Sequence, residues 1–291
     1  MNTISETDLI LNADGSIYHL NLLPGDVADT IITVGDQDRV AEVSKHFDRI
    51  ELVKGKREFI THTGYIGQRR ITVISTGIGT DNIDIVLNEL DALVNIDFST
   101  RMVNQQLHSL NIIRVGTSGA VQADIDIDTV LVSAAAFGLD PLMQYYEHEV
   151  TTDEQKLLEN FKNALPYNYA LQPYIALAGK TLLGSLAGDF EQGITITAPG
   201  FYAPQGRQVR AASATPQLMQ IVQQFGHQHQ RITNLEMETA GIYGLSRSLG
   251  HQAISFNAIL ANRATHQFSK QPQIVIDNCI KQVLELITSK L

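Results

Sequence analysis

Short apolar runs that end at glycine and hand over to a helical pattern recur along this chain, and that recurrence restricts its fold more than any other feature. Ile31 to Val34 reads as a short buried strand, Gly35 follows, and a helix is predicted from about Asp36 to His46. Thr61 to Ile66 and Arg69 to Ser75 read as a hairpin turning near Gly67 and Gln68. That second strand runs into Thr76, Gly77, Ile78 and Gly79. From Asp81 the residues Ile83, Val86, Leu87, Leu90, Leu93 and Val94 then have the spacing of one buried helical face. Asn111 to Val115 is a predicted strand ending in Gly116, Thr117, Ser118 and Gly119, and Thr129 to Ser133 is another. A stripe of Ile276, Ile280, Val283, Leu284, Ile287 and Leu291 marks a terminal helix. Strands that alternate with helices predict the α/β class. No Pro, Gly or Ser-rich linker and no internal repeat divides the chain, so one domain is expected.

Two acids stand out against this frame. Glu236 and Glu238 flank Met237 where the apolar-rich stretch Arg231 to Leu235 gives way to the helical pattern Ala240, Tyr243, Gly244, Leu245 and Leu249, with Gly250 as a stop. Both carboxylates therefore lie at a strand's carboxyl end, the edge where open α/β sheets bind ligands. A carboxylate there accepts two hydrogen bonds from a vicinal diol such as ribose. Arg39, Arg57 and Arg114 each fall beside a glycine turn or a strand end. Gly35 lets backbone amides approach an anion, and a helix beginning at Asp36 adds its positive end. Guanidinium groups suit phosphate because they set two parallel donors against two oxygens and keep their charge.

The formal charge of −10 argues against nucleic acid as a partner while leaving room for a local basic pocket that holds one phosphate. The single cysteine, Cys279, excludes an internal disulfide framework and a multi-cysteine zinc site, and it falls in the terminal helical pattern as core. The start from Met1 to Asp8 is polar and no apolar run is long enough to cross a bilayer. The expectation is a cytoplasmic protein with no membrane partner.

Five segments occur in a specific order: Val34 to Val40 (VGDQDRV), Lys56 to Phe59 (KREF), Ile113 to Val121 (IRVGTSGAV), Gly200 to Arg207 (GFYAPQGR) and Asn234 to Thr239 (NLEMET). Together they resemble the uridine phosphorylase family, within the wider group of hexameric and dimeric nucleoside phosphorylases and nucleosidases. The resemblance runs from about Tyr18 to the C-terminal helix, which makes 1–17 an N-terminal extension and 18–291 the phosphorylase domain. It implies a mixed central sheet, partly closed into a distorted barrel, with helices packed around it. It also implies that inorganic phosphate, a co-substrate, is held by Gly35, Arg39, Arg57, Arg114 and Thr117. Ribose would be held by His19, Met237 and Glu238, and the base by Phe201, Gln205 and Arg207, with no organic cofactor and no metal. Arg114, Thr117, Glu238 and Arg207 are the implied catalytic set. Glutamine offers one acceptor and two donors, so Gln205 can match the N3 hydrogen and O2 of uracil while Arg207 donates toward O4 and Phe201 supplies a ring face.

The chain departs from the family at Gln37, where proline is usual, and at Gly79, Thr80, Asp81, Asn82, where Gly, Gly or Ile, Pro, Ser is common. Purine-cleaving relatives place an aspartic acid just after the strand that follows the diol-binding helix. Here Ile254 to Ala261 leads into Asn262 and Arg263, and an amide cannot protonate a purine nitrogen. The implied reaction is reversible phosphorolysis of uridine to uracil and ribose 1-phosphate, a pentosyl transfer in pyrimidine salvage. Two other readings stay open: a preference for thymidine or deoxyuridine, and a nucleoside-binding protein without turnover. The resemblance further implies that His19 and Arg57 serve the partner chain's pocket, so that a homodimer is the smallest functional unit. The insertion from Asp97 to His108 leaves a hexamer open.

Overall fold

In a computed structural model of the chain, residues 3–291 are described. The first half runs β1 (Thr30–Val34), α1 (Gln37–Ser44), β2 (Arg49–Lys56), β3 (Phe59–Ile66), β4 (Arg69–Ser75) and α2 (Thr80–Asn95). A two-residue-strand hairpin, β5 and β6 (Ile96–Asp97 and Met102–Val103), leads to β7 (Asn111–Ala120), β8 (Val130–Gly138), α3 (Thr152–Ala164), β9 (Tyr174–Leu177) and α4 (Lys180–Leu186). The second half continues through β10 (Glu191–Thr197), α5 (Leu218–Gln224), β11 (Gly226–His227), β12 (Gln230–Glu236) and α6 (Thr239–Ser248). It ends with β13 (Gln252–Asn262), β14 (Gln267–Phe268) and α7 (Pro272–Lys290).

The predicted strands and helices are present, and two of them are longer than the sequence suggests. β7 continues through Gly116 and Gly119, and β8 continues past Ser133 to Gly138. β2 was not anticipated because it is an edge strand whose residues are mostly exposed or half-buried, so it lacks the apolar run of a buried strand.

The sheet is mixed, and part of it closes on itself. β7 pairs parallel with β13, β13 antiparallel with β8, β8 parallel with β10, and β10 parallel with β12. β12 then returns antiparallel to β7 through Leu235 opposite Gly119 and Asn234 opposite Ala120, which completes a five-strand ring. Outside the ring, β1, β4, β3 and β2 extend the sheet from β7.

One edge of β7 is therefore shared. β1 occupies it up to Arg114, paired with Thr33, and β12 occupies it from Gly119 onward. Between them, Val115 to Ser118 face a fork where the sheet splits. Because β12 runs antiparallel to β7, the residues that follow Leu235 travel back along that open edge, which lays Glu236 to Glu238 beside Ser118 to Gly116. A place where neighbouring strands diverge at their carboxyl ends is where α/β sheets make ligand crevices.

Helices cover the sheet on all sides. The apolar face read from α2 is buried as predicted, with Ile83, Val86, Leu87 and Leu90 fully enclosed against a cluster that includes Tyr243 and Leu245 of α6. α1, α4 and α7 enclose a second cluster, and α3 and α5 a third. Leu9 and Ile17, from the segment expected as an extension, are buried in the first cluster beside Leu20 and Leu22. Within the insertion, Arg101 donates to the carbonyls of Ile4, Ser5 and Leu9, so the β5–β6 hairpin clips this N-terminal segment in place.

Candidate active site

The fork gathers the carboxyl ends of β1, β4 and β7 with the turn from β12 into α6. Val34 and Ser75 are register partners, so Gly35 and the turn of Gly77 lie side by side; a Cβ at Gly35 would touch the Gly77 carbonyl at 3.5 Å. The positive end of α1 is not free for a ligand as expected, because the Asp36 carboxylate caps it and accepts from the Asp38 amide at 3.0 Å. Positive potential comes instead from side chains. Burial lowers the pKa of the half-buried Arg39; Asp36 opposes that shift and the charge of Arg114 adds to it. The charge of Arg114 thus reaches Arg39, which puts two guanidinium groups at the fork.

Arg114 is buried at the centre of the site. Its Nη2 lies 2.7 Å from Oε2 of Glu238 and 2.9 Å from Oε2 of Glu236, and its Nη1 donates to Oδ1 of Asn257 at 3.1 Å. The guanidinium lies back over its own strand, where only glycine fits. A Cβ at Gly116 would sit 2.1 Å from Nη1. Burial opposes the charge of Arg114, but the two carboxylates outweigh it and hold the pKa above its ordinary value. Thr117, the next residue along, is half-buried in β7 beside Ala258 of β13.

The acids divide the work. Glu236 turns inward to start α6, accepting from the amides of Glu238 and Thr239 and from the Thr197 hydroxyl at 2.6 Å. The sequence places it with Glu238 at the ligand-binding edge, and its observed bonds are those of a cap, the ordinary role of an acid just ahead of a helical pattern. Glu238 is buried too, and its Oε1 accepts from the Gly79 amide at 2.9 Å. Burial raises its pKa; Arg114 opposes that and Glu236 adds to it. Met237 between them is half-buried, the one residue from Ile232 to Ala240 that is not enclosed. It is thus the side chain of this turn that the crevice exposes.

Behind Gly79 stands Asp140, at the end of β8. It is buried and accepts from the Leu142 amide at 2.9 Å and the Tyr174 hydroxyl at 3.0 Å. Burial pushes its carboxyl upward. Nothing in the local sequence singles out this residue, because the hydroxyl it accepts from belongs to the distant β9.

The loop Gly200 to Arg207 closes the other end. A short turn at Ala203–Gln205 finishes with Gly206 at φ 68°, a conformation that suits glycine. Phe201, Gln205 and Arg207 come together, as the resemblance implies. Arg207 lies 3.7 Å over the Phe201 ring and donates to Oε1 of the buried Gln205 at 2.7 Å. The glutamine's acceptor thus faces Arg207 in this structure, which leaves its amide nitrogen as the free group. Burial lowers the pKa of Arg207 to about 10, and the nearby charge of Arg263 adds to the shift. Arg263 also donates to the Gln205 carbonyl at 2.9 Å. A cleft of about 510 Å³ opens here between Val121, Gln122, Gly206, Met219 and Arg263. Asn262 takes no part in it: its amide donates to the carbonyls of Gln122 and Ile125, and its oxygen accepts from Ala264 and Thr265.

His19 and Arg57 make no side-chain hydrogen bond to Arg114, Thr117 or Glu238. The His19 ring bonds to Glu89 at 2.6 Å, and Glu89 stands ten residues along α2 from Gly79, roughly 15 Å away at 1.5 Å per residue. Arg57 is exposed in the β2–β3 turn at φ 58°, a left-handed conformation that costs a non-glycine residue about 1 kcal/mol. Gln37, where the family usually has proline, donates to the Arg57 carbonyl at 3.1 Å and so ties this turn to the start of α1. Among the described residues no group of three or more His, Cys, Asp or Glu could hold a metal ion, and no helix is long and apolar enough to cross a membrane.

A ring of strands with a basic cradle, a buried carboxylate and a polar loop in one crevice is an α/β arrangement with the chemistry to take an anion beside a hydroxyl-bearing ligand. The chain belongs to the phosphorylase superfamily, whose family model matches residues 29–289. It is 30% identical to a uridine phosphorylase of Thermococcus kodakarensis over 88% of this chain and 81% of that one. It is 27% identical to a uridine phosphorylase of Haemophilus influenzae over 89% and 91%. The crystal structure of a Trypanosoma brucei nucleoside phosphorylase that shows uridine phosphorylase activity matches with a TM-score of 0.89 at 28% identity, covering 97% of this chain and 100% of that one.

Proposed function

We propose that this protein catalyses the reversible phosphorolysis of uridine to uracil and ribose 1-phosphate. The observation that carries the proposal is the placement of two anion-favouring ends on either side of Glu238 and Met237: Arg39 and Arg114 at the fork, and Arg207 and Arg263 at the loop. From Thr117 to Ala120, where Arg263 bonds the strand, is roughly 10 Å at about 3.3 Å per residue, a span that suits a sugar between a phosphate and a base. The uridine phosphorylases among the relatives support the same reading.

In this mechanism phosphate is the nucleophile. One of its oxygens forms a bond to the anomeric carbon as the bond from that carbon to the base nitrogen breaks, and the bonding pair leaves with uracil as an anion. The sugar passes through an oxocarbenium-like state, as in glycoside cleavage. Arg39 and Arg114 hold phosphate against that developing cation, and Glu238 accepts from the ribose hydroxyls. Arg207 and Arg263 stabilise the leaving anion in a site already short of negative charge. Thr117 joins the phosphate ligands, while His19 and Arg57 act in the partner's crevice, so a homodimer is the working unit. The engaged Asn262 leaves no acid to protonate a purine, which favours the pyrimidine.

Uridine cleavage should require phosphate and yield ribose 1-phosphate, with inosine a poor substrate. Equal uracil release in phosphate-free buffer would replace this reading with hydrolysis.

A further inference from the structure

A belt of polar side chains circles the inside of the five-strand ring, and each barrel strand contributes to it. Arg114 of β7 donates to Oδ1 of Asn257 on β13 at 3.1 Å, and Nδ2 of Asn257 donates to Oγ of Ser133 on β8 at 2.9 Å. Ser133 lies 2.5 Å from Oγ1 of Thr195 on β10, which donates to Oδ1 of Asn234 on β12 at 2.9 Å. Nδ2 of Asn234 donates to Oγ of Ser118, back on β7, at 2.7 Å, and Ser118 donates to the Leu235 carbonyl at 3.0 Å. Ser133, Thr195 and Asn257 are wholly buried and Asn234 nearly so. Irregular register around Gly193 to Thr195, in both ladders of β10, accompanies the inward aim of Thr195.

The direction of this belt is not a choice. A guanidinium can only donate, so Asn257 must turn its oxygen to Arg114 and its nitrogen to Ser133. Ser133 then accepts from Asn257 and passes its own proton to Thr195. At the other end the Leu235 carbonyl can only accept. Every bond between these two fixed ends points the same way, so each side chain has one orientation available to it. A barrel interior can be filled by branched apolar residues, which pack without such constraints.

We propose that Asn257 is a positioning residue for Arg114: the belt fixes the plane of the guanidinium so that its donors meet phosphate at the fork. This rests on the phosphorolysis reading above. The ring of bonds also explains why Arg114 does not collapse fully onto the two carboxylates, since Nη1 is held from the opposite side while Nη2 takes both acids.

Asn257→Asp tests this by exchanging one nitrogen for oxygen at nearly constant volume. The ionised aspartate accepts from Arg114 but cannot donate to Ser133, so the belt loses its direction at that link. Phosphate affinity, by KM and by titration calorimetry with inorganic phosphate, should weaken about tenfold or more while the KM for uridine moves less than about threefold. At lower pH a protonated aspartic acid regains a donor, so the ratio of variant to wild-type phosphate affinity should recover on acidification. Ser133→Ala, which does not touch Arg114, should weaken phosphate in the same direction by a smaller factor, and it serves if the aspartate variant does not fold. Unmoved phosphate affinity in either folded variant, a parallel rise of both KM values, or a ratio flat with pH would overturn the positioning role. Wild-type protein that binds phosphate without using it to cleave uridine would count against the phosphorolysis reading alone. Wild-type protein that binds no phosphate would sink both.

Discussion

At the residue scale the chemistry turns on one carboxyl group, Glu238, sealed from water beside a second. One guanidinium faces two acids, and burial raises the Glu238 pKa above its usual 4.5. Such a group stabilises the folded state fully below 4.5, and that contribution is lost as pH rises through the higher folded value, because the unfolded chain gives up its proton first. Activity should run the other way, since only the ionised form accepts from two hydroxyls. At saturating phosphate, kcat/KM for uridine should rise with pH through a value above 4.5. Glu238→Gln should abolish that limb and lower kcat/KM about 100-fold, near ~2.7 kcal/mol. A limb that persists unchanged in the variant assigns the titration to another group. Glu238 stands out in the sequence because acids at a strand's carboxyl end form a local pattern, and Met237 only because the resemblance implies it. Asn257 was not: inside Ile254 to Ala261 it reads as an interruption of an apolar run, and only the closed ring reveals its partners.

At the scale of elements, β7 shows both what glycine conceals and what it permits. Gly116 and Gly119 read as the end of a strand, yet the strand runs through them, because close approach from neighbours can require glycine within a sheet. The two positions differ sharply. A Cβ at Gly116 would collide with the Arg114 guanidinium, whereas at Gly119 its nearest neighbour is the Arg263 Cγ at 3.8 Å. Gly116→Ala should therefore displace a buried ion-paired arginine, lowering stability by about 3 kcal/mol and impairing phosphate use. Gly119→Ala should cost less than about 1 kcal/mol. Thermal melts and phosphate titrations of the pair check this, and equal behaviour would contradict the assigned contact. The helix faces of α2 and α7 were legible for a plain reason: their apolar spacing records burial directly. The edge strand β2, mostly exposed, leaves no such record.

At the scale of the whole molecule, His19 turned to Glu89 and Arg57 exposed in the β2–β3 turn suit a site completed by a second chain. Co-expression of Arg57→Ala and Glu238→Ala chains should then restore activity, since a mixed dimer places both changes in one site and leaves the other intact. With random pairing about a quarter of all sites would be whole. Mixed dimers as inactive as either parent would confine all these residues to one chain. The α/β class was legible from alternation and the partly closed barrel from the resemblance, whereas the strands that close the ring were not, because that depends on which distant strands meet. That closure rests on two register pairs, Asn234 with Ala120 and Leu235 with Gly119, set directly beside the crevice. Parting of β7 from β12 would open the barrel and the crevice together, so a ligand lying across both strands should work like the pin of a hasp, and the protein should melt highest when occupied.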